Sequence, residues 1–289
     1  MAITVCPVTP SFAAEIGDID LATQIEPANL RAITDALARY AVLIFPDQCL
    51  SQDQHLDFAR HFGPLETSIA VYRKDARLRL RKEFADVSNL DHDDELWRKE
   101  SRLRLFQLSN RLWHTDSSFK RLPARASLLY ARSIPPVGGH TEFADERAAY
   151  DALPEEMKRR LDRLVAEHSI FNSRARLAFT NFSDEERQEM PPVPQVLVRT
   201  ILETGRKSLY LASHAGRILG MPEHEGRALN RSTDRPRHST AIRLYPSVAG
   251  KRSRHVGQSL HHAPRYRFRR SAVETRRAAC NRFRRGQLL

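Results

Sequence analysis

The stretch NRLWHTDSSF, residues 110 to 119, places His114 and Asp116 two positions apart among apolar and aromatic residues. On a strand or at its edge, side chains alternate with a period of two, so both would point to the same face. An imidazole nitrogen and a carboxylate oxygen can then bind one metal ion. A second histidine from elsewhere would complete a facial triad that leaves three positions open on Fe(II). Taken alone the pair is a weak signal, because most such histidines are simply hydrogen-bonded, and the pattern raises the question of a third ligand.

The residues before this stretch carry clear helix and strand signals. PANLRAITDALARY (27–40) keeps its apolar residues on one helical face and predicts a helix. AVLIF (41–45) predicts a short buried strand, and Ser51 and Gly63 are start and stop signals for a second helix. The charge run at 72–83 predicts a solvated loop or a flap.

The residues after it continue the mixture of helices and strands. SLLYARSI (127–134) and HTEFAD (140–145) predict strands joined by a turn-rich connector. Residues 145–168 have the pattern of two helices broken before Pro154. QVLVRTI and KSLYLA flank Gly205, which predicts a hairpin.

The size and composition are those of a globular protein. A chain of 289 residues can form one large domain or two small ones around a sizeable core. Cys6, Cys49 and Cys280 include no C-x-x-C pair, so neither a disulfide framework nor a zinc knuckle is indicated. No opening stretch has the pattern of a cleavable signal, and no run of about eighteen apolar residues occurs. We therefore expect a cytoplasmic protein.

The charge is distributed unevenly along the chain. The formal net charge is +12, yet residues 230–289 hold sixteen Lys and Arg against Asp234 and Glu274, so residues 1–229 are close to neutral. The basic segment shows no sustained helical or strand periodicity and few aliphatic residues, which makes it poor material for a core. We therefore divide the chain into a domain at 1–229 and a basic tail at 230–289.

Longer segments give the His-x-Asp pair its context. LWHTDSSF is followed by IPPVGGHTEFADERAAYDALP, then by MPPVPQVLVRT and GRKSLYLASHAGRILGMP. In this combination, over about residues 5 to 229, the chain resembles the Fe(II)/2-oxoglutarate-dependent dioxygenases of the taurine dioxygenase group. Within that group it is most similar to the aryloxyalkanoate enzymes that attack phenoxy herbicides such as dichlorophenoxyacetate.

The resemblance implies roles for five residues of this chain. His114 and Asp116 match the two early metal ligands, and Thr141 matches the threonine that hydrogen-bonds the distal carboxylate of 2-oxoglutarate. Asn89 and His214 fall where relatives place groups that face the substrate. The ordinary structural alternatives for the last three are a strand threonine, a turn asparagine and a satisfied interior histidine.

The resemblance also implies a fold and an activity. The expected fold is α+β, with a double-stranded β-helix (jelly-roll or cupin-like) core and flanking helices, the C-terminal part of the core being missing or disordered. The expected activity uses Fe(II) with 2-oxoglutarate and dioxygen to cleave the ether of an aryloxyalkanoate to a phenol and an oxo-acid. The protein would supply an apolar pocket for the ring and a cation for the carboxylate. The expected partner is a small anionic substrate, with no membrane and no specific nucleic acid, and an oligomer is compatible with the sequence.

The C-terminal part of the family's motif is absent from this sequence. Relatives carry the second histidine in a segment resembling WDNR-x-x-x-HRG, followed by an arginine that pairs with 2-oxoglutarate, and residues 230–289 contain no such segment. Shifted by one base, codons for residues 254–268 permit V-M-W-D-N-R-C-T-T-H-R-G-T-G-F. The tail therefore fits an out-of-frame reading of the family's own C-terminus. The adjacent histidines His261 and His262 are the alternative source of a third ligand.

Two other functions fit the same sequence. One keeps the dioxygenase chemistry and changes the substrate to taurine or another alkyl sulfonate. The other makes the chain a non-catalytic protein whose basic tail binds polyanions, with Tyr266, Phe268 and Phe283 as further contacts.

Overall fold

The structure is a computed structural model that describes residues 2–73, 77–135, 141–232 and 241–244. The chain divides into two units. Of the described residues, the first unit comprises 2–55, 130–135, 141–145 and 241–244, and the second comprises 56–73, 77–129 and 146–232.

Short helices and strands alternate along the described residues. The α-helices are α1 (Pro27–Tyr40), α2 (Gln52–Arg60), α3 (Arg102–Gln107), α4 (Glu146–Asp151), α5 (Glu155–Leu161), α6 (Ile170–Ala175), α7 (Asp184–Glu189) and α8 (Glu223–Ser232). The strands are β1 (Thr4–Pro7), β2 (Ala14–Gly17), β3 (Leu43–Ile44), β4 (Thr141–Ala144), β5 (Val165–His168), β6 (Val193–Val196), β7 (Val198–Thr200), β8 (Lys207–Leu209), β9 (Ala215–Ile218) and β10 (Ala241–Leu244). Two 3-10 turns occupy Ile69–Tyr72 and Leu108–Arg111.

The first unit contains two small sheets. In one, β2 pairs antiparallel with β1 and parallel with β3. In the other, β4 pairs antiparallel with β10, with Thr141 opposite Leu244. Helix α1 packs Ala36 and Tyr40 against Ala14 and Ile16, so burial of this apolar face holds the helix on the first sheet.

The second unit contains two further sheets and most of the described core. Strand β5 lies between β6 and β9, and β7 and β8 form a hairpin, all with antiparallel pairing. A cluster around Leu161, Leu197, Leu209 and Ile218 fills the space between these strands and the helices beside them. A second, aromatic cluster has Phe106, Ile170, Phe179 and Met190 as its buried members.

Several predictions made from local signals are confirmed. Helix α1 spans the predicted residues 27–40, with Pro27 in its first turn. Helix α2 begins after Ser51, whose side chain accepts the Gln54 N–H while the Gln54 side chain accepts the Ser51 N–H, which is a capping box. Gly205 has a φ of +69° at the hairpin turn, a conformation that glycine adopts without strain.

Other predictions are wrong. Residues 127–134 form no strand, although their apolar pattern predicts one. Residues 165–168, predicted as the end of a helix, form the central strand β5, because pairing with two neighbouring strands outweighs their helical periodicity. Residues 241–244 form a strand, β10, in a segment where no strand was expected. No helix among the described residues is long and apolar enough to cross a membrane.

Candidate functional site

The His-x-Asp pair lies in an extended segment that leads into a turn, outside any strand. The prediction that the pair stands on a strand is therefore wrong. The segment is nevertheless hydrogen-bonded to a second stretch of chain, as a strand would be. The Trp113 carbonyl accepts the Ser213 N–H at 3.0 Å, and the Thr115 hydroxyl donates to the Leu211 carbonyl at 3.3 Å. These two bonds fix the backbone on both sides of His114.

The two side chains of the pair meet as the spacing predicts. His114 Nε2 lies 3.2 Å from Asp116 Oδ1, and His114 Nδ1 lies 2.7 Å from the Leu112 carbonyl oxygen. Burial lowers the pKa of His114, but the hydrogen bonds with Asp116 and Leu112 outweigh it and raise the pKa on balance. The hydrogen bond with His114, together with one from Ser127, lowers the pKa of Asp116 and outweighs the partial desolvation of its carboxylate. The carboxylate is therefore ionised and ready to act as a ligand.

His214 approaches this pair from the segment before β9. Its ring centroid lies 5.9 Å from that of His114 and 4.9 Å from that of Phe119, edge-on in both cases. The side chain is buried, and its Nδ1 has no hydrogen-bond partner among the described residues. Burial, with a contribution from Arg174, lowers the pKa of His214 to about 3, so the imidazole is neutral at physiological pH.

The turn that follows Asp116 is braced by an acidic side chain. Ser117 has a φ of +57°, a left-handed conformation that costs a non-glycine residue about 1 kcal/mol. The Ser117 hydroxyl donates to Glu66 Oε2 at 2.5 Å, and Lys120 Nζ lies 3.0 Å from Glu66 Oε1. These contacts offset the strain and hold the turn that follows Asp116.

A second set of contacts, the Gln195 network, holds the same turn from within the protein. The buried Gln195 amide donates to the carbonyls of Ser118 at 3.1 Å and Lys120 at 2.8 Å. Its oxygen accepts from Arg199 Nη2 at 2.5 Å, and the Arg199 guanidinium lies 3.4 Å above the Tyr210 ring. Both the nitrogen and the oxygen of the Gln195 amide therefore have hydrogen-bond partners.

Two buried polar side chains near the site were not predicted from the sequence. His168, at the end of β5, is 0% exposed, stacks on Tyr210 with centroids 5.5 Å apart, and has no hydrogen-bond partner for either ring nitrogen among the described residues. Burial, together with the charge of Arg199, lowers its pKa to about 4. Arg174, in α6, is 5% exposed. The only signal in the sequence was the charged and aromatic character of AEHSIFNSR, which does not reveal burial.

Thr141 and Asn89 are not brought to the pair by any described contact. Thr141 is the first residue of β4 in the first unit, while the pair belongs to the second unit. Asn89 is an exposed loop residue whose carbonyl accepts the Trp97 N–H at 3.0 Å. Within the described residues its side chain makes no hydrogen bond to His114, Asp116 or His214. Their roles stay predictions.

The donor atoms of the pair fit a divalent iron ion. With Nδ1–H directed at the Leu112 carbonyl, His114 Nε2 would be the metal ligand once it loses the proton that it shares with Asp116, and the adjacent carboxylate would supply the oxygen ligand. No third His, Cys, Asp or Glu side chain joins this pair within the described part of the chain. Asp91, His92 and Asp93 form another close group, on a loop where Asp91 already accepts two backbone N–H groups.

Known proteins match most of the chain. Residues 4–246 match the family described as taurine catabolism dioxygenase TauD, TfdA family. The alpha-ketoglutarate-dependent 2,4-dichlorophenoxyacetate dioxygenase of Cupriavidus pinatubonensis is 44% identical over 230 residues, which are 79% of this chain and 80% of the relative. The (S)-phenoxypropionate/alpha-ketoglutarate-dioxygenase of Sphingobium herbicidovorans is 36% identical over 237 residues, 79% of this chain and 77% of the relative.

A solved structure agrees with these matches. AAD-2 in complex with Mn(II) and N-oxalylglycine superimposes with a TM-score of 0.82 at 42% identity, covering 86% of this chain and 87% of that one. The expected jelly-roll core with flanking helices is therefore confirmed, and so is the expected family. The family match runs to residue 246, past the predicted domain boundary at 229, and the boundary and the out-of-frame tail stay predictions. The chain belongs to the TauD/TfdA family of Fe(II)- and 2-oxoglutarate-dependent dioxygenases.

Proposed function

We propose that this chain is, by descent, an aryloxyalkanoate dioxygenase, which cleaves the ether of compounds such as dichlorophenoxyacetate to a phenol and an oxo-acid. The observation that carries the proposal is the paired His114 and Asp116 in a chain 44% identical to a 2,4-dichlorophenoxyacetate dioxygenase. A cytoplasmic location and an oligomeric state are compatible with this function.

The site residues would have different roles. His114 and Asp116 would hold Fe(II), with the Leu112 carbonyl fixing the imidazole and Ser127 the carboxylate. Thr141 would hydrogen-bond the distal carboxylate of 2-oxoglutarate, and Asn89 and His214 would face the substrate. Bound Fe(II), with 2-oxoglutarate and dioxygen, supplies the oxidising chemistry. His214 is neutral at physiological pH because of its lowered pKa, so it would contact the substrate as a hydrogen-bonding group and not as a charge.

We also propose that this particular chain is impaired. The pair supplies two protein ligands, and residues 230–289 lack the segment in which the family carries its late histidine and arginine. Loss of the histidine, one of three ligands, would weaken iron binding, and loss of the arginine would leave 2-oxoglutarate without its cationic partner. An out-of-frame segment that begins near residue 229 accounts for both losses.

The test compares two proteins. One is the 289-residue chain, and the other is the product of the same coding DNA with its reading frame shifted by one base after codon 229. We expect phenol release from dichlorophenoxyacetate that depends on 2-oxoglutarate in the second protein and almost none in the first. Turnover of taurine but not of dichlorophenoxyacetate by the second protein would contradict the proposed substrate. Equal phenol release by both proteins would contradict the impairment.

A further inference from the structure

Packing holds the carboxylate of Asp116 only in part. The side chain is 58% exposed, and its hydrogen-bond partners among the described residues are His114 and Ser127. A side chain with this much exposure keeps its rotamer freedom unless the backbone that carries it is fixed. The place of the carboxylate beside His114 Nε2 therefore depends on the backbone conformation of residues 116 and 117.

The chain is fixed on both sides of these two residues. Before them, the Thr115 hydroxyl donates to a carbonyl of a neighbouring segment at 3.3 Å. After them, the buried Gln195 amide donates to two carbonyls of the turn. Because both flanks are held, a change in backbone conformation between them must be absorbed at Asp116 or Ser117.

Ser117 is the strained residue of the two. Its φ of +57° lies in the left-handed region that residues with a Cβ avoid. The turn that it begins is closed by the Lys120 N–H, which donates to the Ser117 carbonyl at 2.8 Å. A strained conformation of this kind persists only where the surrounding contacts hold it. Relaxation of Ser117 would therefore displace the backbone of Asp116.

Glu66 supplies the side-chain contacts that hold Ser117. The Ser117 hydroxyl donates to Glu66 Oε2 at 2.5 Å, and Lys120 Nζ lies 3.0 Å from Glu66 Oε1. The same Lys120 Nζ donates to the Thr67 carbonyl at 2.7 Å. A hydrogen bond to an ionised acceptor is stronger than one between neutral groups. One carboxylate therefore joins the strained residue to the last residue of its turn.

Glu66 can be replaced without opening the core. Its side chain is 33% exposed, whereas Gln195, which also holds the turn, is buried. An ion pair between partly exposed side chains contributes little to stability. Substitution of Glu66 is therefore expected to loosen the turn and to leave the fold intact.

We propose that Glu66 is a positioning residue of the metal site. It holds Ser117 in the left-handed conformation, and this conformation keeps the Asp116 carboxylate beside His114, where both can bind one divalent ion. The proposal rests on the proposed function, in which the pair holds Fe(II). Groups that orient a metal ligand without touching the metal change the affinity by about 10- to 100-fold.

The experiment measures binding of Mn(II) to the 289-residue chain. Mn(II) accepts nitrogen and oxygen ligands, and because it is paramagnetic it broadens the NMR resonances of the His114 ring even when binding is weak. Glu66→Ala removes both contacts, and Glu66→Gln keeps an oxygen that accepts from the Ser117 hydroxyl. The matched control is Glu155→Ala, which removes another glutamate–lysine ion pair, on α5. Urea denaturation of each variant measures its stability separately.

We expect Glu66→Ala to raise the Kd for Mn(II) about 10-fold, Glu66→Gln to recover most of the affinity, and Glu155→Ala to leave the Kd unchanged. A merely structural role of Glu66 would lower the urea midpoint without changing the Kd of the folded protein, and that result would overturn the assignment. Equal losses of affinity in Glu66→Ala and Glu66→Gln would overturn it too, because they would reflect the lost charge and not the hydrogen bond.

Ser117→Ala tests the path from Glu66 to the metal ligand. If Glu66 acts through Ser117, the combined variant Glu66→Ala/Ser117→Ala should lose clearly less affinity than the product of the two single losses. Two losses that multiply would show that the residues act independently, which contradicts the proposed path.

Asp116→Ala separates this proposal from the proposed function. If it abolishes the broadening at His114 while Glu66→Ala leaves the Kd unchanged, only the role of Glu66 fails. Broadening that survives Asp116→Ala, or that is absent from the unmodified chain, would contradict both the metal-binding pair and the role of Glu66. Turnover of taurine in place of dichlorophenoxyacetate by the protein with the shifted reading frame would contradict the proposed substrate and leave the role of Glu66 in place.

Discussion

Two sets of buried polar side chains in the second unit differ in how their hydrogen-bonding groups are used. In the Gln195 network, the amide of Gln195 donates twice and accepts once, and its partners hold the turn after Asp116. In the second set, both nitrogens of His168, Nε of Arg174 and Nδ1 of His214 have no partner among the described residues. The first set has a structural role, because its hydrogen bonds hold the turn in place. The second set costs stability, because a buried polar atom without a hydrogen bond loses its hydration and gains no partner in return.

The largest expected effect comes from breaking the paired set. Gln195→Leu removes the donor to two backbone carbonyls and the acceptor for the Arg199 guanidinium, so we expect the free energy of unfolding to fall by about 3 kcal/mol. Urea denaturation measures this loss. The control is Gln188→Leu, on the exposed side of α7, which should change stability by less than about 0.5 kcal/mol. A loss below about 1 kcal/mol for Gln195→Leu would show that the network is not a stabilising one.

The second-largest expected effect is the pH dependence of the free energy of unfolding that His168, in the set without hydrogen-bond partners, contributes. The pKa of His168 is about 4 in the folded protein, below its ordinary value of 6.5, so between these values the unfolded chain binds a proton that the folded chain does not. Its contribution is therefore intact above pH 6.5 and is lost as the pH falls towards 4. From pH 7.5 to 4.5 we expect His168 to account for about 2.5 kcal/mol of lost stability.

The measurement for His168 is the difference between two proteins. Urea unfolding of the unmodified chain and of His168→Phe, each at pH 7.5 and 4.5, isolates this residue from the other titrating groups. The phenylalanine keeps the aromatic stacking on Tyr210 and cannot be protonated. If both proteins lose the same stability on acidification, His168 is not buried as a neutral group.

A smaller effect of opposite sign is expected at Arg174. Arg174→Met replaces an unpaired buried cation by an apolar chain of similar length, so we expect the free energy of unfolding to be unchanged or raised by about 1 to 2 kcal/mol. Urea denaturation measures it alongside Gln195→Leu. A loss of about 3 kcal/mol would instead place Arg174 in the paired, structural class.

The smallest effect on stability is expected at the pair itself. Asp116→Asn removes a partner of His114, but the Asp116 side chain is 58% exposed, so we expect a change below about 1 kcal/mol. The pKa of His114 should fall, because the asparagine cannot supply the charge that raises it. Titration of the imidazole by NMR measures this shift. A pKa that stays constant would show that the two side chains do not interact in solution.

The elements that the sequence predicted correctly are those with local signals. Helix α1, the capped helix α2 and the hairpin at Gly205 depend on residues within one or two turns of the chain. Strands β5 and β10 were not predicted, because each exists through pairing with a segment distant in sequence, which no local period reports. The jelly-roll core followed from the family resemblance, and periodicity alone would not have given it.

The residues of the candidate site also fall into those that local sequence predicts and those that it does not. His114 and Asp116 could be predicted as a pair because two positions of extended backbone bring them together, whether or not the segment belongs to a sheet. Arg174 and His168 could not, because arginine and histidine are ordinary surface residues in most helices and strands. Only the tertiary structure shows that both are buried and without partners.

The pairing of β4 with β10 has a consequence for synthesis of the chain. The two strands are separated by about a hundred residues, so the ribosome must complete that length before β4 meets the only strand paired with it in the described structure. Until then β4, which carries Thr141, has an open edge that other strands can join. The nascent chain is therefore most prone to misassembly just before residues 241–244 emerge.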